Sequence, residues 1–425
     1  MADDNKKDGW IISDGLSEGE LWADRYPELG TGTISYEDMI SPEIFALERE
    51  AVWRKCWLYV GREEDCRNNG EYFTREFEVL KASVIVVRGK DGKVRAFHNV
   101  CPHRGNKLVW EDNPRNEVHG KGQVFFCKYH GISFAMDGSL VKLPHNQNWH
   151  GDQGCNLQLA EIPLESCNGF MFINFNKGGP EQSLREYLGD YLFNGLQGYP
   201  FEKFTERNFM RGNSNCNWKA LQDAFSEAWH GLTLHSQGFP MLQTDSITLQ
   251  SLHYSFHGPH KVWITGNIPE GFTNFDIERI ANMNVLGPNE VGERYPLPPA
   301  AVPIAGAEWG TVTISIFPNM QLQWYAPGWW HTYNYMPSAY NKMRFEIDQR
   351  FQPAKNFSEL FSHKAGIDEI SFALLQDVNT LEATQMGLEA RAFEQWPLID
   401  EEIIIRHFHR EMRNRVEQYQ RDTKL

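Results

Sequence analysis

Apolar positions along the chain change rhythm twice. Between residues 41 and 53, Ile44, Phe45, Leu47, Val52 and Trp53 recur at helical spacing. Ser41 stands before them as an N-cap and Pro42 at the first helical position, so a helix is expected there. From about Tyr72 to Phe175 the rhythm shortens to β-type runs, among them Ala82–Val87, Val124–Phe126 and Gly169–Phe175. Turn signals such as Asp91-Gly92 and Asp137-Gly138 punctuate them. Beyond Asn176-Lys-Gly-Gly-Pro180 the runs lengthen again. A helical segment is expected around Trp218–His235, strands at His260–Gly266, Thr311–Phe317 and Lys342–Phe351, and helices over Phe357–Leu388 and Asp400–Tyr419. In the last strand Met343, Phe345 and Ile347 alternate with Arg344, Glu346 and Asp348, which predicts one buried and one wet face. The expected organisation is an N-terminal arm over residues 1–40, a small all-β domain with its N-terminal helix over 41–180, and an α+β domain over 181–425.

Charge narrows the classes of partner. Lys plus Arg number 41 and Asp plus Glu 56, a net charge of −15 that repels phosphate backbones and argues against nucleic acid. No stretch approaches the ~20 apolar residues that span a bilayer. The start Met1-Ala-Asp-Asp lacks an apolar signal core, so a cytoplasmic protein without a membrane partner is expected. Seven cysteines in 425 residues are too few and too scattered for a disulfide scaffold and read as buried thiols or metal ligands. Aromatic residues at 13%, with 14 tryptophans, suggest an apolar or aromatic-lined site.

The strongest chemical signal is Cys101-Pro-His103-Arg104-Gly105 paired with Cys127-Lys-Tyr-His130-Gly131. Each half supplies one Cys and one His in the same order, followed by Gly. Four such ligands could hold zinc, or a 2Fe–2S cluster in which two His replace two Cys on one iron. The repeated order favours the cluster, because glycine lets backbone amides approach the sulfide.

This pair resembles the cluster motif of the Rieske non-haem iron oxygenases, the terminal oxygenase α subunits. Respiratory Rieske carriers hold extra cysteines where Asn106 and Tyr129 stand here, so their disulfide cannot form. Two departures are visible. The segment between His103 and Cys127 is longer than the family's, with Asp112–Glu117 as the inserted loop, and Ile132 replaces a usual Trp.

A second constellation follows Asn217-Trp218-Lys219: Asp223, Glu227, His230 and His235. Two imidazoles and one carboxylate make the facial triad that binds Fe(II) and leaves positions open for O2. Alone, His-x4-His is weak; its weight comes from co-occurrence with the Rieske pair. The resemblance implies that His230, His235 and a distant Asp377 bind the mononuclear iron, with Asp368 as the local rival. It also implies that Glu227, where the family usually has Asp, is an electron relay between subunits, and that Asp223 lies just behind the ligands. Glu382 and Gln385 are expected to shape the ligand helix, and Ile405–Arg410 matches the family's C-terminal helix. His145 and His150 read as loop residues, and Cys56, Cys66, Cys155, Cys167 and Cys216 as buried thiols.

What the resemblance implies is therefore an all-β Rieske domain followed by a helix-grip catalytic domain with an antiparallel sheet. One 2Fe–2S cluster, held by Cys101, His103, Cys127 and His130, and one mononuclear Fe(II) are expected per chain. No Gly-x-Gly-x-x-Gly follows a strand, so NAD(P)H acts only through a separate reductase, with or without a ferredoxin. A homotrimer, with or without a β subunit, is expected. The leading substrate is an aromatic or polycyclic compound, to be hydroxylated with O2. Glu227 keeps a second reading open, oxidative demethylation or monooxygenation of a non-aromatic substrate, for example a quaternary ammonium compound. A Rieske electron carrier without catalysis is the remote third.

Overall fold

Short, glycine-punctuated β runs can bury a core only by pairing with one another, and residues 53–187 do so as one compact unit. In the computed structural model, residues 16–17, 19–154, 156–227, 229–235, 252–266, 297–301, 309–324 and 329–423 are described. Cys155, Tyr325 and residues 1–15 of the arm lie outside them. The unit contains β1 (Trp57–Arg62), β2 (Glu71–Phe77), β3 (Ala82–Arg88), β4 (Val94–His98), β5 (His119–Lys121), β6 (Val124–Phe126), β7 (Ser133–Ala135), β8 (Leu140–Lys142), β9 (Glu161–Ile162), β10 (Leu164–Cys167) and β11 (Phe170–Asn174). They form antiparallel sheets in the orders β9-β4-β3-β2-β5, β10-β11-β1 and β6-β7-β8. The β-branched run Val84-Ile85-Val86-Val87 is buried on both faces: Ile85 and Val87 turn into the core that contains Cys101 and Cys127, and Val84 and Val86 are buried on the opposite face.

The second unit joins residues 1–52 to 188–425. Its frame is a seven-stranded antiparallel sheet of β12 (Glu206–Ser214), β13 (Leu252–His257), β14 (His260–Gly266), β15 (Trp309–Ile316), β16 (Met320–Trp324), β17 (Trp329–Ala339) and β18 (Lys342–Phe351), in the order β12-β18-β17-β16-β15-β14-β13. Its helices include α1 (Pro42–Glu48), α2 (Trp218–Ala224), α3 (Gly231–Leu234), α4 (Phe357–Glu389) and α5 (Ile403–Thr423). Among the described residues no helix is long and apolar enough to cross a membrane.

Ser41 caps α1 as the sequence suggests, its Oγ accepting from the Ile44 N–H at 3.1 Å. The helix nevertheless groups with residues 188–425 rather than with the β unit, which departs from the expected boundary at 41. The reason is a buried charge: Lys219 Nζ of α2 lies 2.6 Å from Glu48 Oε1 of α1. The expected continuous helix across Trp218–His235 is broken after Ala224, and α3 follows as a separate turn.

Register alternation gives the sheet two different faces. One face carries a polar rung, Thr313, Gln323, His331, Gln349 and Asn208, paired strand by strand. Gln323 Nε2 donates to Thr313 Oγ1 at 2.7 Å, His331 Nε2 donates to Gln323 Oε1 at 3.0 Å, and Asn208 Nδ2 donates to Gln349 Oε1 at 2.8 Å. α4 packs on this face, with Gln349 Nε2 donating to Gly366 O. The neighbouring Trp329 ring lies so close to Gly366 that an added Cβ would sit 3.1 Å from it.

The supposedly wet face of β18 is instead buried. Glu346 is 0% exposed and pairs with Arg211 and Arg344, while Asp348 pairs with Arg207 and Arg350. Period-two alternation marks two faces but does not say that one is wet. Long arginine stems cover charged positions as well as apolar ones do.

Candidate metal centres

The two Cys-His loops of the β unit are built alike. Cys101 N donates to Asn106 O and Gly105 N to Cys101 O; Cys127 N donates to Ile132 O and Gly131 N to Cys127 O. Gly105 and Gly131 sit at φ +79° and +76°, in the left-handed region that glycine enters without strain. The result brings two cysteines and two histidines together as like pairs. Both thiols are buried, and the His103 and His130 rings lie 4.7 Å apart. His103 Nδ1 is buried without a hydrogen-bond partner. Asn106 Nδ2 reaches Cys127 Sγ at 3.9 Å. Ile132 is fully buried in the core beneath Cys101 and Cys127, while the aromatic beside His103 is Trp149, at 5.3 Å. His145 and His150 are exposed loop residues.

In the second unit, the break after α2 makes the site. Phe225 N bonds back to Leu221 O and ends the helix. Glu227 then turns forward, Oε2 accepting from the His230 N–H at 3.0 Å and Oε1 from His230 Nδ1. His230 and His235 are the residues flanking the short α3. α4 brings Asp377 to them from far along the chain: His235 Nε2 is 3.2 Å and His230 Nε2 3.6 Å from Asp377 Oδ1. Ligand atoms of the three lie within 4.8 Å of one another. Asp377 is 1% exposed, and neither carboxylate oxygen has a hydrogen-bond partner. A buried unpaired carboxylate is costly, and a cation beside it removes the cost. Asp368 is exposed on the same helix and takes no part.

Both histidines turn Nε2 inward because Nδ1 is engaged. His235 Nδ1 donates to Gln376 Oε1 at 2.8 Å, a positioning contact that the sequence reading missed although Gln376 adjoins Asp377. His230 feels burial, which disfavours its charged form, but Glu227 outweighs it and holds the pKa above the ordinary value. Glu382 and Gln385 do not approach the triad. Glu382 Oε1 accepts from Asn215 N at 2.8 Å and Gln385 Oε1 from Asn217 N at 2.9 Å, fixing α4 to the start of α2.

A cavity of about 370 Å³ adjoins the triad and is lined by Asp223, Glu227, His230, Asp377 and Glu402, with apolar residues including Leu234 and Trp396. Asp223 does not touch the triad; its Oδ2 accepts from His409 Nε2 at 2.8 Å. Burial, then the Glu227 and Asp223 carboxylates, push Glu402 up to about 7. Trp324 packs against Tyr199 and Trp330 against Phe201 and Phe204. Tyr333 stacks on Phe225 and Tyr335 donates to Gln321 Oε1.

Comparison with known proteins settles the family. Residues 56–163 match the Rieske [2Fe-2S] domain, and residues 201–418 match the ring hydroxylating alpha subunit (catalytic domain), just over half of the chain. The chain belongs to the Rieske oxygenase alpha subunits. It therefore has the domains of a 2Fe–2S cluster and of a mononuclear iron, and the zinc reading falls away. It is 31% identical to the carnitine monooxygenase oxygenase subunit of Escherichia coli (strain K12) over 222 residues, covering 50% of this chain and 54% of that one. To the large oxygenase component of the naphthalene 1,2-dioxygenase system of Pseudomonas aeruginosa it is 35% identical over 198 residues, covering 44% and 41%. These matches span about half the length of those relatives. The fold is that of a quaternary ammonium Rieske monooxygenase, with a TM-score of 0.72 at 20% identity over 96% of this chain and all of that one.

Proposed function

We propose that the chain is the terminal oxygenase of a multicomponent Rieske system, which oxygenates a small organic substrate with O2 and electrons from a separate reductase, with or without a ferredoxin. The carrying observation is Asp377, whose two unpartnered buried oxygens face the inward Nε2 atoms of His230 and His235. In this reading Cys101, His103, Cys127 and His130 would hold the cluster, and His230, His235 and Asp377 the mononuclear iron. Bound there, the two groups supply one-electron transfer and a redox centre for oxygen reduction.

The protein's own residues orient and insulate that chemistry. Gln376 Oε1 and Glu227 Oε1 each accept a hydrogen bond from the Nδ1–H of a ligand imidazole, which fixes both rings and leaves the Nε2 lone pair for the metal. Glu227 is also the residue proposed to relay electrons from the cluster of a neighbouring copy, in a homotrimer with or without a β subunit. Asp223 stands behind it, held by His409 rather than by a ligand.

Two substrate classes compete, and the lining of the cavity beside the triad bears on the choice. The sequence leads with an aromatic or polycyclic substrate, but Trp324 and Trp330 are engaged in packing. The cavity beside the triad is lined instead by the carboxyl groups of Asp223, Glu227 and Glu402 and by apolar residues including Leu234 and Trp396. Carboxylates and an aromatic ring in such a wall favour a cation, whereas a neutral hydrocarbon gains nothing from the charges. This supports monooxygenation or demethylation of a polar, quaternary ammonium type of compound, the class named for the carnitine monooxygenase relative. Turnover with a surrogate reductase under 18O2 tests both: labelled product from carnitine-like amines and none from naphthalene is expected. The reverse result restores the aromatic reading.

A further inference from the structure

Oxygenation consumes protons as well as electrons, and in monooxygenation two protons leave as water with the second oxygen atom. A buried line of charged groups in the second unit leads toward the cavity beside the triad. Asp223 lines that cavity, is buried, and has an Oδ1 with no hydrogen-bond partner. Behind it, His409 is 0% exposed and bonded at both ring nitrogens, Nε2 to Asp223 Oδ2 at 2.8 Å and Nδ1 to Asp38 Oδ2 at 3.1 Å. Asp38 and Glu48 line a second cavity of about 300 Å³, whose other walls include the exposed Ser35 and Glu417. Lys219 spans those two carboxylates, with Nζ 2.6 Å from Glu48 Oε1 and 3.9 Å from Asp38 Oδ2. The line Asp38–His409–Asp223 therefore joins a cleft with exposed walls to the cavity of the triad.

We propose that this line is the proton path of the oxygenase, with His409 as the carrier and Asp223 as the donor into the cavity. It rests on the oxygenase reading. The His409 Nε2–H bond breaks and an O–H bond forms on Asp223 Oδ2. The carboxyl group then hands a proton to an acceptor in the cavity, and no electrons move in these steps. The neutral imidazole keeps its Nδ1 proton toward Asp38. Rotation of the ring about Cβ–Cγ turns the bare nitrogen to Asp38, where a proton from the cleft refills it.

The surrounding charges favour a loaded carrier. Asp38 reaches His409 from the helix Glu37–Ile40, Asp223 and Lys219 from α2, and Glu48 from α1, while Arg413 on its own helix acts on Asp38. Lys261 and Glu402 face Asp223. Burial alone lowers His409, but Asp223 and Asp38 outweigh it and hold the group up to about 9, so it carries its proton at neutral pH.

The test uses the metal-loaded full chain, reduced anaerobically and mixed with O2 in weakly buffered solution containing a pH indicator. Electron loss from the cluster and proton uptake are followed separately. His409→Gln and Asp223→Asn are expected to keep both metals and the Rieske spectrum but slow proton uptake by roughly a hundredfold. A solvent deuterium effect larger than that of the unsubstituted protein should accompany the loss. Asp38→Asn, which keeps an acceptor for Nδ1–H but cannot pass a proton on, should slow the refilling of His409 and so proton uptake to a similar degree, and its retained hydrogen bond guards against misfolding of the other two. Uptake at the unsubstituted rate in all three variants overturns the path while leaving the oxygenase reading intact. No oxygen consumption by the unsubstituted protein overturns both.

Discussion

The two metal regions are assembled in opposite ways. In the β unit all four proposed ligands come from two short loops that repeat one hydrogen-bond pattern, and each loop ends on a glycine with positive φ. In the second unit the proposed ligands come from a break between two helices and from the middle of α4, and they meet only because the fold brings α4 across. A centre built from local loops depends on its metal for order. A centre built across a large sheet is held by what surrounds it, here Gln376, Glu227, Glu382 and Gln385. Loss of the metal should therefore cost the two regions different things.

The largest effect is expected at Asp377. Asp377→Ala should abolish turnover and remove the mononuclear iron, while acid-labile sulfide, the Rieske spectrum and the unfolding temperature stay near those of the unsubstituted protein. If iron content and turnover are unchanged, the ligand assignment is wrong. Cys101→Ser should do the reverse: cluster iron and sulfide are lost and the β unit becomes protease-sensitive, because metal binding and folding are coupled there. A β unit as resistant to proteolysis as before would break the comparison. Glu227→Gln comes next. Both metals should remain, but turnover should fall roughly 10–100-fold, the scale of losing a partner of a metal-bound imidazole. Glu227→Asp should recover part of it, and single-turnover oxidation of the cluster at an unchanged rate in Glu227→Gln would show that electrons go elsewhere. Smaller again is Gln376→Leu, in which His235 Nδ1 loses its acceptor; iron affinity, read by chelator competition, should fall about tenfold.

The same contrast explains what the sequence could show. Strands such as Ala82–Arg88 and Val124–Phe126 were legible because pairing partners and turns lie close in sequence, and Cys101–Gly105 with Cys127–Gly131 was legible for the same reason. Asp377 is proposed through resemblance, since Asp368 carries the same chemistry and only the fold, which buries Asp377 beside His230 and His235, tells them apart. The buried ion pairs of β18 were misread as a wet face because their partners Arg207 and Arg211 lie on β12, some 140 residues earlier. Gln376 and His409 were missed as working residues for the same cause. Each is an ordinary helical residue until a distant segment, His235 or Asp38, arrives at its side chain.

The smallest expected effect is on stability, and it again separates the two regions. His409 is the buried charge at the centre of the second unit, raised from 6.5 to about 9 with burial opposing and Asp223 and Asp38 prevailing. A group whose folded pKa lies above its unfolded value contributes stability that is complete below the unfolded pKa and disappears as pH rises through the folded one. The contribution of His409 is thus full below about pH 6.5 and is lost as pH climbs through about 9. Asp38, pulled below its ordinary range by Lys219 and His409 against burial, works in the other direction and weakens the fold only in acid. Between pH 6.5 and 9 the unfolding temperature of the second unit should therefore decline, and His409→Gln should flatten that decline while starting from a lower value. The β unit, monitored by loss of the cluster spectrum, should not follow the same slope. An equal decline in His409→Gln would assign the pH dependence to other groups and remove His409 as the charged centre of the unit.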